Sequence, residues 1–352
     1  MNIEIHKSPV LKEKPATDNL VFGKTFTDHM LVMEHDENGW SDWKIIPYGP
    51  FSLDPSAMVI HYGQSIFEGM KAYRNPEGKI NLFRPEENFK RLNLSADRLC
   101  IPQIDEEYAL AALKTLVKLE EDWVPDAPNT SLYIRPFIFA TDPYLGVKAS
   151  TKYIFAIILS PVGPYYKEGL KPVKIFVEDE YVRAVKGGMG FTKTAGNYAA
   201  SILAGEIANK KGYAQVLWLD GIHKEYVEEV GSMNIFFKFK DELATPALNG
   251  SILGGITRKS IIELARDMGI TVNERAISIN EVYERHAKGE LEEVFGSGTA
   301  AVVSPVSELN RDGDIITISN GAMGQLTQKL YDTLTGIQWG KLEDNHNWIT
   351  TL

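Results

Sequence analysis

A stretch rich in proline and glycine interrupts the chain near its middle, at residues 161–172 (PVGPYYKEGLKP). Proline lacks the amide hydrogen that helices and sheets require, and glycine is the least restrained residue, so neither element continues easily through such a stretch. The chain of 352 residues is long enough for about two domains. We therefore predict a smaller N-terminal α/β domain at 1–163, an interdomain linker at 164–172 and a larger C-terminal domain at 173–352.

The composition excludes several classes of protein. The formal charge of −10 gives an acidic surface, which repels the phosphate backbone of nucleic acids. Cys100 is the single cysteine, so neither an internal disulfide nor a cysteine-ligated zinc site can form, and a reducing cytoplasm is the expected compartment. The N-terminus is too polar for a secretory signal, and apolar runs such as 154–159 are far shorter than the roughly 20 residues that span a bilayer. We expect a soluble cytoplasmic protein that binds neither nucleic acid nor membranes.

The first half of the chain predicts a helix followed by a pair of strands. Two β-rich runs, 132–140 and 153–159, flank a turn-like segment and are typical of paired strands. Before them, apolar residues recur at helical spacing from 105 to 123, and Pro125 ends the pattern. The side chains that this helix is expected to bury are Ala109, Ala112, Leu113, Leu116 and Val117.

The second half of the chain alternates short apolar runs with helical patterns. The predicted strands are 173–177, 215–219, 233–239 and 315–318, and the predicted helices are 199–211 and 257–268. This order indicates an α+β or mixed α/β fold, and the residues alone leave the balance between the two open.

Three glycine-rich turns are candidates for binding an anion. The first, KGGMGFTKT at 186–194, resembles a nucleotide-binding P-loop except that Thr192 stands where that motif requires glycine. What remains is Lys193 in a flexible glycine turn, and a solvated loop lysine is the alternative interpretation. The second, LGGIT at 253–257, begins a helix whose free N–H groups suit a phosphate, although Thr257 could be an ordinary N-cap.

The third turn, FGSGTAA at 295–301, matches the dinucleotide-binding pattern G-x-G-x-x-A. Pro305 interrupts the helix that should follow, so a loop offering N–H groups to another anion is the better interpretation.

The seven histidines are scattered without metal-binding spacing, so no metal site is predicted. The acidic pair Glu228 and Glu229 precedes a glycine-punctuated strand, and a solvated charged face is its alternative interpretation. The residues alone thus indicate a phosphate-containing ligand and leave lysine chemistry open.

These turns belong to a longer set of ordered motifs. The motifs are FGKTFTDHM (22–30), FEGMKAY (67–73), FRP (83–85), NFKRL (88–92), LYIRP (132–136), EVGSMN (229–234) and FGSGTA (295–300). With them the sequence resembles, nearly end to end, the branched-chain amino-acid aminotransferases, which are pyridoxal 5′-phosphate enzymes of fold type IV. The resemblance implies a two-domain, D-amino-acid aminotransferase-like fold and a homodimer. It also implies transamination of leucine, isoleucine and valine with 2-oxoglutarate, which yields branched-chain 2-oxo acids and glutamate.

The resemblance assigns the cofactor-binding residues. Lys193 would hold the cofactor as a Schiff base and then carry the proton as general base and acid, which requires a partly neutral amine. Tyr198 would donate to the phenolic oxygen of the cofactor, and Glu229 would keep the pyridine nitrogen protonated. The groups assigned to the phosphate are Arg91, Thr299 and the N–H groups of Ile256 and Thr257.

The resemblance also assigns the substrate pocket. The N–H groups of Thr299 and Ala300 would bind the substrate α-carboxylate. The side-chain pocket would consist of Phe22, Tyr62, Phe67, Tyr133, Arg135 and Tyr165. Arg135 would pair with the second carboxylate of glutamate. Leu145 and Val147 would lie on a loop that reaches into the neighbouring subunit, and Arg183 would support the site without touching substrate.

The sequence departs from some relatives at two places. Ala301 and Ser304 replace a redox-active Cys-x-x-Cys pair, which removes a thiol switch, and Ser232 replaces a frequent threonine while keeping its hydroxyl.

D-amino-acid aminotransferase and aminodeoxychorismate lyase are the alternatives within the fold. The alternatives outside it are a nicotinamide-dependent oxidoreductase and an inactive cofactor-binding scaffold. The preferred branched-chain substrate and the biosynthetic or catabolic role stay open.

Overall fold

The computed structural model describes residues 3–163 and 170–352. Contacts between Cα atoms divide them into two compact units. The first contains residues 3–163, 192–195 and 336–352, and the second contains residues 170–191 and 196–335. The segments 192–195 and 336–352 thus group with the N-terminal half although they follow the linker in sequence. The predicted domain limits, which cut the chain once, remain a prediction.

The described residues form nineteen strands. In chain order they are β1 (Ile3–Ile5), β2 (His29–Asp36), β3 (Gly39–Trp40), β4 (Trp43–Pro47), β5 (Ser65–Phe67), β6 (Met70–Arg74), β7 (Ile80–Phe83), β8 (Ser131–Ala140), β9 (Tyr153–Val162), β10 (Val173–Glu178), β11 (Gln215–Leu219), β12 (Val227–Val230), β13 (Asn234–Phe239), β14 (Leu243–Pro246), β15 (Val272–Arg275), β16 (Leu291–Gly298), β17 (Val302–Arg311), β18 (Asp314–Thr317) and β19 (Ile349–Thr351).

The same residues form eight α-helices and three short 3-10 helices. The α-helices are α1 (Met58–Tyr62), α2 (Pro85–Arg98), α3 (Glu106–Leu119), α4 (Ala195–Ala199), α5 (Ile202–Lys210), α6 (Ile256–Asp267), α7 (Ile279–Ala287) and α8 (Gln325–Gln338), and the 3-10 helices are Thr17–Asn19, Glu121–Trp123 and Ser319–Gly321. No helix in the described part of the chain is both long and apolar enough to cross a membrane.

The first unit is built on a sheet with the strand order β1-β4-β2-β9-β8-β6-β7-β19, with β3 paired to β2 and β5 paired to β8. Strand β1 runs parallel to β4, and the other described pairings are antiparallel. One face of this sheet packs against α2 and α3 in a single apolar core.

Strand β8 shows how one strand serves both faces of that sheet. Side chains of successive residues in a strand point to opposite faces. Leu132, Ile134 and Ile138 are fully buried in the core with the side chains of α2 and α3. Tyr133 and Arg135 alternate with them and therefore lie on the opposite face, where the candidate site of this unit is found.

The second unit contains a sheet with the order β12-β11-β10-β17-β16-β13-β14-β15, with β18 paired to β17. Strand β10 runs parallel to both of its neighbours, whereas β16 is antiparallel to β13 and β17. Helix α5 covers β10 and β11 through an apolar cluster that includes Ala204, Ala208 and Trp218. Parallel and antiparallel strand pairings, together with the helices, form the predicted mixture of α and β structure.

Most predicted elements are confirmed within one or two residues. The predicted helix at 105–123 ends at Leu119, and a 3-10 helix covers Glu121–Trp123. Its five predicted core residues are all buried. The predicted helix at 199–211 is wrong as one element, because residues 200 and 201 lie outside both α4 and α5.

We expect the start of α3 to depend on Asp105. Its side chain accepts a hydrogen bond of 2.8 Å from the N–H of Tyr108, which caps the helix. Asp105→Ala should lower the free energy of unfolding by about 1 kcal/mol, measured by urea denaturation. Asp105→Ser keeps a capping oxygen and should stay close to wild type. Equal losses in both variants would show that the cap is not the cause.

Candidate active site

The backbone around Lys193 is held firmly within the first unit. The carbonyl of Lys193 accepts a hydrogen bond of 3.0 Å from the N–H of Phe67, and its own N–H donates to Ser95 Oγ at 3.0 Å. Next to it, Thr194 Oγ1 donates to the carbonyl of Ser65 at 2.7 Å. Lys193 is therefore anchored to β5 and α2, and the expectation of a flexible turn is wrong at this residue.

The amine of Lys193 lies among aromatic and charged groups of the same unit. Its Nζ is 4.8 Å from the centre of the Phe67 ring. Burial lowers the pKa of Lys193 to about 8, the charges of Arg91 and Arg135 act in the same direction, and Glu68 opposes them. About a tenth of such an amine is neutral at pH 7, against about one part in three thousand at the ordinary pKa of 10.5. The amine can thus act as a nucleophile and a base near neutral pH.

A buried ion pair controls the charge beside this amine. Arg91 Nε and Nη2 lie 2.7 and 2.8 Å from the two carboxylate oxygens of Glu68. Glu68 is fully buried and also accepts 2.8 Å from Asn88 Nδ2 and 3.2 Å from the N–H of Gly69. Burial tends to raise the pKa of Glu68, but the charge and hydrogen bonds of Arg91 hold it below its usual value. Glu68 stays ionised and fixes the guanidinium of Arg91.

Aromatic rings surround Arg135 on the outer face of β8. The guanidinium lies 4.7 Å from the ring centre of Phe67 and 5.2 Å from that of Tyr133, and its Nη2 donates to Tyr133 Oη at 3.0 Å. Phe22 packs edge-on against Tyr133 with ring centres 4.8 Å apart. The structure therefore brings together four of the predicted pocket residues.

At least one nitrogen of the Arg135 guanidinium donates no hydrogen bond to the described residues. Within residues 3–163 and 170–352, no carboxylate lies within 4.0 Å of its guanidinium nitrogens, and its buried Nε has no hydrogen-bond partner. Arg135 does pair with one strand neighbour, Tyr133, so a structural role remains the alternative to a binding role. The charge is stabilised by ring faces and one hydroxyl, so it can still accept a carboxylate.

Glycine is required at position 69 to seat Tyr133. A Cβ atom on Gly69 would lie 2.1 Å from Tyr133 Oη, far inside van der Waals contact. Gly69 lies just before β6, and the space beside its Cα is occupied by the hydroxyl group of Tyr133, which leaves no room for a side chain. The phenol passes close to this backbone, and its hydroxyl meets Arg135.

Three further predicted pocket or interface residues lie elsewhere in this unit. Tyr62, at the end of α1, is largely exposed and donates a hydrogen bond to the carbonyl of Leu145. Leu145 and Val147 are 65% and 84% exposed, which is unusual for such apolar side chains. The predicted role of Tyr165 lies outside the described residues.

In the second unit, Glu229 is a buried carboxylate that contacts Arg183 and the backbone of Leu253. Arg183 Nε lies 3.1 Å from its Oε2, and the N–H of Leu253 donates to its Oε1 at 2.7 Å. Glu228 is buried as well, where it accepts a hydrogen bond from Ser251 Oγ, and burial raises the pKa of Glu228. The solvated interpretation of this acidic pair is therefore wrong for both residues.

The N-terminus of α6 has no side-chain cap. Gly255 is the N-cap residue, and Ile256 and Thr257 form the first turn, so the alternative of Thr257 as the cap is wrong. A Cβ on Gly255 would lie 2.0 Å from Asn234 Oδ1, so a larger residue at the N-cap would require that side chain to shift. The N–H groups of Ile256 and Thr257 are therefore not bonded by a cap, which suits an anion.

The remaining predicted residues of the second unit lie on a hairpin and a short helix. Thr299 and Ala300 connect β16 to the antiparallel β17, and Tyr198 lies on α4. A dinucleotide-binding turn leads into a helix, whereas this turn leads into a strand. The nicotinamide interpretation of residues 295–301 therefore has no structural support.

Sequence reasoning missed two residues of the first unit, Glu68 and Ser95. The sequence offers a signal for each of them, because a carboxylate between two largely apolar strands and a serine on the buried face of a helix both require polar partners. The identity of those partners could not be read, since Arg91 lies 23 residues from Glu68 and Lys193 lies 98 residues from Ser95.

Comparison with known proteins gives consistent matches over nearly the whole chain. The family model of amino-transferase class IV matches residues 65–309. Branched-chain-amino-acid aminotransferase 2 of Bacillus subtilis (strain 168) is 59% identical over 349 residues, which cover 99% of this chain and 96% of that protein. A branched-chain-amino-acid aminotransferase of Mycolicibacterium smegmatis is 49% identical, with 96% of each chain covered.

Solved structures agree with the fold. A branched-chain aminotransferase from Thermoproteus uzoniensis with norvaline matches with a TM-score of 0.76 and 27% identity over 92% of this chain and 99% of that one. The branched-chain amino acid aminotransferase from Escherichia coli matches with a TM-score of 0.73 and 28% identity over 92% and 98%. The predicted fold class is thus confirmed. The chain is an enzyme that belongs to the class IV aminotransferases and, among them, to the branched-chain-amino-acid aminotransferases.

Proposed function

We propose that this enzyme transfers the amino group of leucine, isoleucine or valine to 2-oxoglutarate, with pyridoxal 5′-phosphate as cofactor. The products are branched-chain 2-oxo acids and glutamate. The observation that carries the proposal is the surrounding of Arg135. Aromatic walls there suit an apolar side chain, and a guanidinium with no carboxylate partner among the described residues suits a second carboxylate. Both substrates of this reaction need the same pocket, and this pocket offers both kinds of contact.

The residues of the chain fit the chemistry of that cofactor. Its phosphate matches the uncapped start of α6 and the guanidinium of Arg91, and its aldehyde requires an amine with a lowered pKa such as that of Lys193. A protonated ring nitrogen requires a buried carboxylate that stays in place, and Arg183 holds Glu229 there. When bound, pyridoxal phosphate supplies a ring that withdraws electrons from the substrate Cα.

In this proposal Lys193 Nζ is the group that moves the proton. As a base it would remove a proton from the substrate Cα, and as an acid it would donate that proton to the C4′ carbon of the cofactor. Its lowered pKa supports both directions near neutral pH. Glu229 keeps a proton on the ring nitrogen, and Tyr198 donates to the phenolic oxygen. Glu68 orients Arg91 toward the phosphate, which Ile256, Thr257 and Thr299 also bind.

The substrate contacts follow from the same proposal. The N–H groups of Thr299 and Ala300 bind the α-carboxylate. The side-chain pocket is formed by Phe22, Tyr62, Phe67, Tyr133, Arg135 and Tyr165. We also propose a homodimer, in which the exposed Leu145 and Val147 reach the partner subunit, and a cytoplasmic location, which the single cysteine favours.

Lys193→Ala tests the assignment of the amine. We expect turnover of L-leucine to fall by at least about 10²–10⁴-fold, because general acid–base and nucleophilic catalysis are both lost. Bound pyridoxal phosphate should no longer be trapped on the chain by borohydride, whereas in wild type it should be recovered on the peptide that contains Lys193. The cofactor can still be retained through its phosphate contacts. Near-wild-type transamination by Lys193→Ala without added amine would refute the assignment.

Glu229→Gln tests the carboxylate, and Glu228→Gln is the matched control on the neighbouring residue. A neutral amide cannot hold the ring nitrogen protonated, so kcat of the Glu229 variant should fall at least about tenfold, or about 1.4 kcal/mol of transition-state stabilisation. Glu228→Gln removes a buried carboxylate that contacts Ser251, and we expect it to change stability more than kcat. Similar losses of kcat in both variants would argue against a special role for Glu229.

Arg135→Gln tests the recognition of the second carboxylate. Loss of a charge-assisted hydrogen bond of roughly 1.5–3 kcal/mol corresponds to an increase of about ten- to a hundred-fold in KM for 2-oxoglutarate. The KM for 4-methyl-2-oxopentanoate should change much less, because its side chain is apolar. Equal losses with both keto acids, or a protein that unfolds, would return Arg135 to a structural role. Parallel assays with D-leucine separate this function from that of a D-amino-acid aminotransferase.

A further inference from the structure

We propose that Ser95 is a positioning residue, which fixes the backbone of the catalytic lysine against helix α2. The inference rests on the proposed function, because it concerns the amine that the proposal assigns to catalysis. We assign Ser95 no contact with substrate or cofactor, and its effect is exerted through the position of Lys193.

One hydroxyl joins two backbone groups. Ser95 Oγ accepts a hydrogen bond of 3.0 Å from the N–H of Lys193 and donates one of 3.0 Å to the carbonyl of Arg91. A serine hydroxyl has a single hydrogen to donate, so its donation to Arg91 sets the direction in which its lone pairs accept. Ser95 is fully buried, so water does not compete for these bonds. The position of Lys193 is thereby set relative to the last half of α2.

Two further hydrogen bonds of this segment lead to a different element, strand β5. Phe67 N–H and the carbonyl of Ser65 hold residues 193 and 194 along β5. These contacts fix the segment at the edge of the first sheet, whereas the bond to Ser95 fixes it to a helix. With attachment to β5 alone, the backbone of Lys193 could still rotate. The second attachment, to α2, lies in a different direction and restricts this rotation.

The helix in question also carries the arginine that we assign to the phosphate. Arg91 and Ser95 are four residues apart on α2 and lie on the same face, one turn from each other. The guanidinium of Arg91 is in turn fixed by Glu68, which follows β5 directly. The lysine backbone and the phosphate-binding group are therefore attached to the same turn of the same helix. The separation between the amine and the phosphate of the cofactor depends on that turn.

Ser95→Ala is the test, and covalent attachment of pyridoxal phosphate to the apoprotein is the readout. We expect the rate of attachment at Lys193 to fall about ten- to a hundred-fold, because a reacting group displaced by about 1 Å or less reacts more slowly by such factors. The rate is measured by borohydride trapping and the mass of the labelled peptide. The kcat for L-leucine should fall by a similar factor, whereas its KM should stay within about twofold.

The pH dependence of attachment separates positioning from general damage. Burial is the largest cause of the lowered pKa of Lys193, and Arg91, Glu68, Tyr133 and Arg135 also act on it. We expect Ser95→Ala to leave the burial and all four groups unchanged. The midpoint should therefore remain near pH 8 while the limiting rate falls. A variant that merely loosens the structure would expose the amine, and the midpoint would then move toward 10.5. Such a movement would contradict the proposal.

Two further variants complete the design. Thr115→Ala is the matched control, because Thr115 Oγ1 donates to the carbonyl four residues earlier within α3 and should change neither rate nor midpoint. If Ser95→Ala does not fold, Ser95→Cys keeps the volume with a weaker acceptor and should also slow attachment about tenfold. Attachment at the wild-type rate in either folded Ser95 variant would overturn the proposal for Ser95. Failure of the wild type to attach the cofactor at Lys193 would instead overturn the proposed function.

Discussion

The charged part of the first unit depends on one buried carboxylate, that of Glu68. Arg91, Arg135 and Lys193 all act electrostatically in the same region, and Glu68 is the acid that opposes them. Removal of one partner from a buried ion pair costs about 3–5 kcal/mol, because the other charge is left uncompensated. Without Glu68 the charges of the arginines would lower the pKa of Lys193 further, and Arg91 would lose its orientation. Glu68, to which we assign no contact with a reactant, therefore sets the state of groups that we propose to bind cofactor and substrate.

The second unit repeats this principle with the charges exchanged. There the carboxylate is that of Glu229, for which we propose a role at the ring nitrogen of the cofactor, and Arg183 Nε lies 3.1 Å from it. Backbone groups complete both arrangements, since the N–H of Leu253 binds Glu229 and the N–H of Gly69 binds Glu68. A buried charge with a fixed partner and a backbone donor is rigid, and rigidity is what an acid or base near a reacting centre requires.

Periodicity and breaker residues allowed much of the fold to be predicted. The helix before Pro125 and the pair β8 and β9 were predicted because their patterns are local, and the structure confirms them. The break between α4 and α5 was missed, because residues 199–211 contain no proline to signal it.

The candidate site could be predicted only in part. Its motifs named Lys193, Arg135 and Glu229, but the burial of Glu228 and Glu229 depends on contacts with residues far along the chain. A local pattern of two adjacent acids is typical of a solvated face. Such a pattern cannot reveal the contacts that bury both side chains.

The surroundings of Arg135 support the proposal that one pocket binds two unlike side chains. A buried arginine usually has a carboxylate partner, and that partner would repel or exclude the second carboxylate of a substrate. Here the faces of Phe67 and Tyr133 stabilise the cation, each by about 0.5–2 kcal/mol, without neutralising its charge. The same ring surfaces are apolar, so an aliphatic side chain can pack on them without contacting an opposing anion. In the pocket that we propose, the described residues surround Arg135 with aromatic rings instead of an acid, which would keep the cation available for glutamate and leave the walls suitable for leucine.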